Sequence, residues 1–482
     1  MKNLGIILLA LSCCIVVSCK PARNNPSEQA DKSARNDELN PKASPQVQKS
    51  DSSELLQYNL ATLVGDYEKY GHINAAWDAS ALQALRTFAE MRANKSWLSK
   101  SNAHKFEAAI AAARDAGCND PLILYVQARY GKLPDGFTPQ AHAERFTSAA
   151  DALEKSHYAD IRKFYATLRA AEAVKSAANR TNLPPTVDYY LQNSLTYLVS
   201  VLRDQSTPIS EVNDACRDLF DAMGYNAKQQ NDFYAAIEKP LFAGWPGTAV
   251  AYLVKGRYYI QYAWQARGHG WANTVTDKGW KSMAERLAIA EKSLNRAWEY
   301  DPTNESIAIE MINVELGQGN GRDRMEVWFN RAMNLNPASY LACQWKLNYL
   351  QPKWHGTAED MLDFGRQCVN SDKWIGQVPL ILVDAHAALA QNLDQSSRPS
   401  YWSQPVVWLD IKSSFEKFFQ LNPEDIGWRH NYAKYAARCN QWEAFLQQAQ
   451  LMGPINYEFF EGKDNYDFIL KTAREKTKIG KR

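Results

Sequence analysis

Leu294-Asn295-Arg296-Ala297-Trp298-Glu299-Tyr300-Asp301-Pro302 and Phe329-Asn330-Arg331-Ala332-Met333-Asn334-Leu335-Asn336-Pro337 share one register, 35 positions apart. Each closes an amphipathic run and opens another. Leu421-Asn422-Pro423 has the same ending, and a further 35 positions beyond Pro337 lead to Asp372, in Asn370-Ser371-Asp372. A proline at a first helical turn loses no hydrogen bond, and Asp or Asn before it can cap free N–H groups. The expectation is that each proline opens a helix. Ala290 and Ala297 flank Leu294, while Phe329 and Ala332 hold matching places before Pro337. Ala297 and Ala332 are therefore expected to be buried where helices pair.

Working outward, the periodicity stays helical from Glu54 onward. Leu82, Leu85, Phe88, Ala89 and Met91-Arg92 follow three-and-four spacing, as do Phe106, Ala109, Ile110 and Ala113. Gly117 stops the second of these, and Asp120-Pro121 opens the next. Leu122 to Tyr130, Phe146 to Leu153, Ile161 to Val174, Tyr189 to Leu202, Val212 to Met223 and Phe233 to Ile237 read likewise. Pro184-Pro185, Thr207-Pro208 and Gly224 separate them. No segment sustains the period-two alternation of strands, so the chain is expected to be all-α.

The 35-residue spacing resembles the tetratricopeptide repeat. The resemblance implies an α-α helical repeat array wound as a right-handed superhelix, in which small residues let paired helices approach. Met325 and Phe418 depart from it, standing where that family prefers alanine. Asn392 to Pro405 reads as an insertion loop. Between Gly256 and Asp384, three stretches resemble a group of functionally uncharacterised tetratricopeptide-like proteins of environmental bacteria. They are Ala266-Arg267-Gly268-His269-Gly270-Trp271-Ala272-Asn273-Thr274-Val275, Gln351-Pro352-Lys353-Trp354-His355-Gly356-Thr357 and Met361-Leu362-Asp363-Phe364-Gly365-Arg366. That resemblance bears on fold and leaves activity open.

At the N-terminus, Met1-Lys2 precedes an uncharged run from Leu4 to Val17, whose end continues into Ser18-Cys19 to read Val16-Val17-Ser18-Cys19. This resembles the lipobox of bacterial lipoproteins, which implies cleavage between Ser18 and Cys19 and lipidation at Cys19. The run is short of the ~20 residues a membrane span needs. Cys13, after Ala10-Leu11-Ser12, is an alternative lipid site. The expected organisation is a signal peptide at 1–18, a disordered tether at 19–53, an N-terminal helical region at 54–240 and a repeat region at 241–482. The tether is too polar to offset chain entropy. Lipidation implies attachment to the cell membrane or the outer membrane, facing the periplasm or the exterior. Lys20, where Asp would signal inner-membrane retention in enterobacteria, favours the outer membrane.

Among the 482 residues, 55 Lys+Arg nearly balance 53 Asp+Glu, so no net field steers nucleic acid. The mature body holds Cys118, Cys216, Cys343, Cys368 and Cys439, with no Cys-x-x-Cys and no histidine at metal spacing. Export permits disulfides, but isolated cysteines on apolar helix faces are usually small buried hydrophobes. Mostly free, buried thiols are expected, and no metal or cofactor.

The segment from Ala266 to Trp280 is the leading binding candidate. Gly268, Gly270 and Gly279 loosen its backbone, yet it carries His269, Trp271 and Trp280, with Asn273 and Asp277 able to hydrogen-bond. Either the indoles form a platform for a sugar ring or peptide side chain, or they pin an interhelical loop. Trp354-His355, in a turn between helices, is open to the same two readings. Glu305-Ser306 matches the catalytic dipeptide of lytic transglycosylases, but Val314-Glu315-Leu316-Gly317-Gln318 stands where that family has Gly-Leu-Met-Gln. Gly317-Gln318-Gly319-Asn320-Gly321 follows a helix and lacks a phosphate loop's Lys-Ser/Thr ending, so it reads as a turn. No catalytic residue is assigned. The expectation is a lipid-anchored, non-enzymatic scaffold for a protein partner. The alternatives are a glycan-binding surface lipoprotein and, behind it, a cell-wall glycan hydrolase.

Overall fold

The computed structural model describes residues 51–94, 100–132, 138–178, 183–224, 226–268 and 270–479. The expected signal peptide, Cys13, Cys19 and the expected tether up to residue 50 lie outside the described residues, as does His269. Every regular element among the described residues is a helix. The chain is all-α, and its helices pack in series on their sequence neighbours, as in a helical repeat array. Contacts between sequence neighbours are what a repeat architecture needs, since each unit buries its apolar face on the next.

The described chain divides into two compact units. One comprises 51–266 with 288–302, the other 267–287 with 303–479. Position 240, where the sequence reading placed a boundary, lies inside the continuous helix Ala227–Gly244. The first helix begins at Asp51, so residues 51–53 belong to it and not to a tether.

In the N-terminal unit the apolar positions read from the sequence point inward. Leu85, Phe88 and Ala89 of helix Asp78–Ala93 are buried, as are Phe106, Ala109, Ile110 and Ala113 of helix Lys100–Asp115. Gly117, at φ +80°, ends the latter by taking the left-handed conformation that costs glycine least. Asp120 then caps helix Pro121–Tyr130, its Oδ1 accepting from the N–H groups of Leu122 (2.9 Å) and Ile123 (3.1 Å). Its Oδ2 accepts from the Tyr158 hydroxyl at 2.7 Å, tying the cap to the core. One continuous hydrophobic core runs from Leu63 to Tyr258.

The proline endings work differently from the expectation. Helix Asp277–Tyr300 stops before Asp301, and the next begins at Glu305 behind the cap Asn304. Helix Arg322–Leu335 stops before Asn336, and Tyr340–Tyr349 follows after Ser339. Helix Pro405–Leu421 stops before Asn422. Pro302, Pro337 and Pro423 therefore lie in turns ahead of the next cap, not in a first helical turn. A proline pushes the residue before it into extended backbone. Asn336 is accordingly extended, at φ −140° and ψ 96°, and ends its helix, while Asn422 ends another at φ −134° and ψ 65°. Asn336 spends its side chain on the turn, accepting from the Ala338 N–H at 3.0 Å. Asp301, Asn336 and Ser371, each 35 positions from the last, follow directly on helix ends.

Ala290, Ala297 and Ala332 are fully buried, with Ala332 on a helix that packs against Glu305–Gln318. Met325 and Phe418, the two departures from the repeat pattern, are buried as well. Glycines supply further close approaches. A Cβ on Gly256 would lie 2.6 Å from Leu294 Cγ, and one on Gly317 would lie 2.7 Å from Leu287 Cδ1. The insertion at 392–405 contains a short helix, Arg398–Trp402, and buries Trp402. The five cysteines among the described residues, Cys118, Cys216, Cys343, Cys368 and Cys439, are free and buried.

Candidate binding site around Arg267

Helix Ala249–Arg267 ends at Arg267, and Gly268 turns the chain away at φ +75°. The segment that follows is shorter than its sequence implies. Trp271 precedes a single 3-10 turn, Ala272–Thr274, and its carbonyl accepts from the Thr274 N–H (2.9 Å) and hydroxyl (2.8 Å). Thr276 then starts the next helix, accepting from the Gly279 N–H at 3.1 Å. Asp277, Gly279 and Trp280 thus sit in the first turn of helix Asp277–Tyr300 and not on a loop. Asp277 and Asn273 are exposed, and Asp277 occupies the helix end where a negative charge suits the dipole.

Two of the candidate indoles meet across a cation. The Arg267 guanidinium lies 5.5 Å from the Trp280 ring centroid and 5.4 Å from that of Trp354. Its Nη1 donates to the carbonyls of Gly268 (3.2 Å) and Gly270 (3.1 Å). The backbone thereby holds the cation in place, and each indole turns a face toward it. Such contacts contribute ~0.5–1 kcal/mol at exposed sites. Trp280 is 38% exposed, so its rim stays open to solvent. Trp271, half-buried, enters no stacking or cation–π contact among the described residues.

His355 has a different task from its neighbour Trp354. Its Nε2 lies 2.8 Å from the Leu316 carbonyl, which can only accept, so this nitrogen carries the proton. The ring packs on Tyr349, 4.5 Å between centroids, and close to Gly319. Gly319 (φ +65°) and Gly321 (φ +112°) form the turn that follows helix Glu305–Gln318. His355 therefore closes that helix end. Glu305 begins the same helix, and its Oε1 accepts from the Ser339 hydroxyl at 2.5 Å.

No protein-family model and no curated protein matches the chain. Among the described residues, no group of three or more His, Cys, Asp or Glu is placed to hold a metal ion. No described helix is long and apolar enough to cross a membrane.

Sequence reasoning missed one polar constellation in the C-terminal unit. His386, fully buried, lies 2.8 Å from the Tyr401 hydroxyl through Nδ1 and 3.2 Å from Asp410 Oδ2 through Nε2. Arg366 Nη2 donates to the same Asp410 oxygen at 2.9 Å. Although burial opposes it, the His386 and Arg366 hydrogen bonds hold the Asp410 carboxyl below its ordinary range. Burial pushes the Tyr401 hydroxyl up to about 12. A phenol raised that far is a poor base or nucleophile near neutrality, and the network reads as a brace for helix Ile381–Gln391. No local motif announces it, because the partners come from three helices and the insertion.

Proposed function

We propose that the chain is a bacterial lipoprotein whose helical body acts as a binding scaffold for a protein partner. Helical repeat arrays present extended surfaces, and their usual work is recognition. The observation that carries the reading is the 35-residue register of Asp301, Asn336 and Ser371 in an all-helical chain. It supports a tetratricopeptide-like array, and the Val16-Val17-Ser18-Cys19 stretch supports export and lipidation at Cys19. In this reading the body faces the periplasm or the exterior, held to the cell membrane or the outer membrane, and performs no chemistry of its own.

A glycan-binding surface lipoprotein is the second reading. Trp271 favours it, as a half-buried indole with no stacking partner among the described residues. Trp280 and Trp354 favour it less, since each gives a face to Arg267. A cell-wall hydrolase built on Glu305 has the least support, because that carboxylate already accepts the Ser339 hydroxyl.

Two experiments test the proposal. Metabolic labelling with a clickable palmitate analogue should mark the wild-type protein and fail to mark Cys19→Ala. Continued labelling of that variant would move the anchor to another site such as Cys13, and an unlabelled wild type would refute lipidation. Photo-crosslinking in the native cell from Asn273 and Lys353, beside the Arg267 site, should yield a discrete protein adduct. Binding of glycan fragments without such an adduct would favour the second reading, and cleavage of peptidoglycan the third.

A further inference from the structure

Helices Tyr340–Tyr349 and Ala358–Asn370 follow one another in the C-terminal unit and pack together. The turn between them, residues 350–357, is short, so they run antiparallel. One contact fixes their alignment. The Lys346 ammonium lies 4.5 Å from the Phe364 ring centroid, so position 346 of one helix faces position 364 of the other. Residues three and four apart share a helix face. Cys343, one turn before Lys346, and Cys368, one turn after Phe364, therefore come level with each other on the facing sides.

The thiols meet there. Cys343 and Cys368 are both fully buried, and their side chains share a hydrogen bond. The Cys343 sulfur also lies 3.7 Å from the Met333 sulfur, but a thioether cannot join a disulfide. Cys118, Cys216 and Cys439 differ, for no second thiol acts on any of them. Burial pushes the Cys368 thiol up and the hydrogen bond with Cys343 adds to this, while the Lys346 ammonium works the other way. That cation favours the thiolate, the form that attacks in disulfide exchange.

We propose that Cys343 and Cys368 are a disulfide-forming pair, joined by exchange with a small-molecule disulfide as the chain folds. The Cys343 thiolate attacks the S–S bond of the reagent, which breaks to give a mixed disulfide and one released thiolate. The Cys368 thiolate then attacks the Cys343 sulfur, forms the new S–S bond and expels the second thiolate. The two cysteines lose two electrons and two protons, and the reagent takes both up to become two thiols. Native packing selects this pair because it holds the second sulfur against the first. The bridge staples two successive helices across 25 positions of chain. Export, as in the reading above, would place the chain where disulfides persist. The chemistry and its test do not depend on that reading.

The test starts from the full chain, reduced and unfolded in denaturant. It is refolded in a buffer of oxidised and reduced glutathione, blocked with N-ethylmaleimide in denaturant, and digested without reduction. Mass spectrometry should find two peptides joined through Cys343 and Cys368, lighter by two hydrogens than their sum. The joined pair should be at least tenfold more abundant than in a sample kept in denaturant in the same buffer. Cys343→Ser should leave Cys368 alkylated or glutathionylated and bridged to no other cysteine. The proposal is overturned if refolded protein yields both residues alkylated, if the joined pair is no more abundant than in denaturant, or if either residue bridges chiefly elsewhere. Should the chain fail to refold, native protein held in the same buffer takes its place, and the same comparison with the denatured sample decides.

Discussion

Gly365 faces the backbone of Leu382 so closely that a Cβ at position 365 would stand 2.8 Å from the Leu382 Cα and 2.7 Å from its Cδ1. Helices Ala358–Asn370 and Ile381–Gln391 meet at that point, and backbone cannot yield as a side-chain tip can. Gly365→Ala should therefore push the pair apart and cost about 1–3 kcal/mol, read as a lower midpoint in chemical denaturation. Ala332→Phe should cost a similar amount at the neighbouring helix pair. An unchanged midpoint for either would mean the helices do not pair there.

The Arg267 site yields a coupling experiment. If the guanidinium is held by the indole faces, Arg267→Met and Trp354→Leu should be non-additive by ~0.5–1 kcal/mol in a double-mutant cycle. Additivity would show that the contact contributes nothing measurable to stability.

Trp271 separates binding from anchoring. As a recognition residue, its truncation to Ala should remove partner or glycan capture and leave the melting temperature close to wild type. As a buried anchor, it should cost about 3–5 kcal/mol with capture intact in the folded fraction. Thermal melts and capture measured on one preparation distinguish the two outcomes.

Asp384 gives the C-terminal unit a pH signature. Burial pushes its carboxyl up from 3.8 to about 6, a rise only partly offset by hydrogen bonds from Tyr340 and Gln344. The folded value lies above the unfolded one, so the contribution to stability is full below pH 4 and is lost as pH rises through 6. At most the loss is about 3 kcal/mol. Asp384→Asn should raise the melting temperature at pH 8 and bring no gain at pH 4. An equal effect at both values would rule out the titration.

The thiols predict silence. Burial pushes Cys118 up to about 11 and both Cys216 and Cys439 up to about 12. Maleimide should leave Cys118, Cys216, Cys343, Cys368 and Cys439 unmodified in the reduced native protein at neutral pH and label all five in denaturant. Rapid labelling of the native protein would place a thiol at the surface.

The helices were legible because their signals are local. Three-and-four spacing announced the buried faces of Phe88 and Ile110, and Asp120-Pro121 announced a capped start. The proline endings were located correctly but assigned to the wrong side of the turn. The steric demand of Pro337 falls on Asn336 before it, and that ends one helix well before another begins. Trp280, read as part of a loop, lies in a helix because Thr276 supplies the cap just before it.

Sequence alone thus determined where helices run, which faces they bury, and that small residues recur at a 35-residue period, since each rests on neighbours a turn or two apart. Only tertiary structure decided that Arg267 lies close to both Trp280 and Trp354 and that His386 meets Asp410 and Tyr401. Those relationships join residues from different helices, and side-chain charge and ring faces carry no local periodicity to reveal them. An arginine's partner depends on which helices pack beside it, and packing is a property of the whole array.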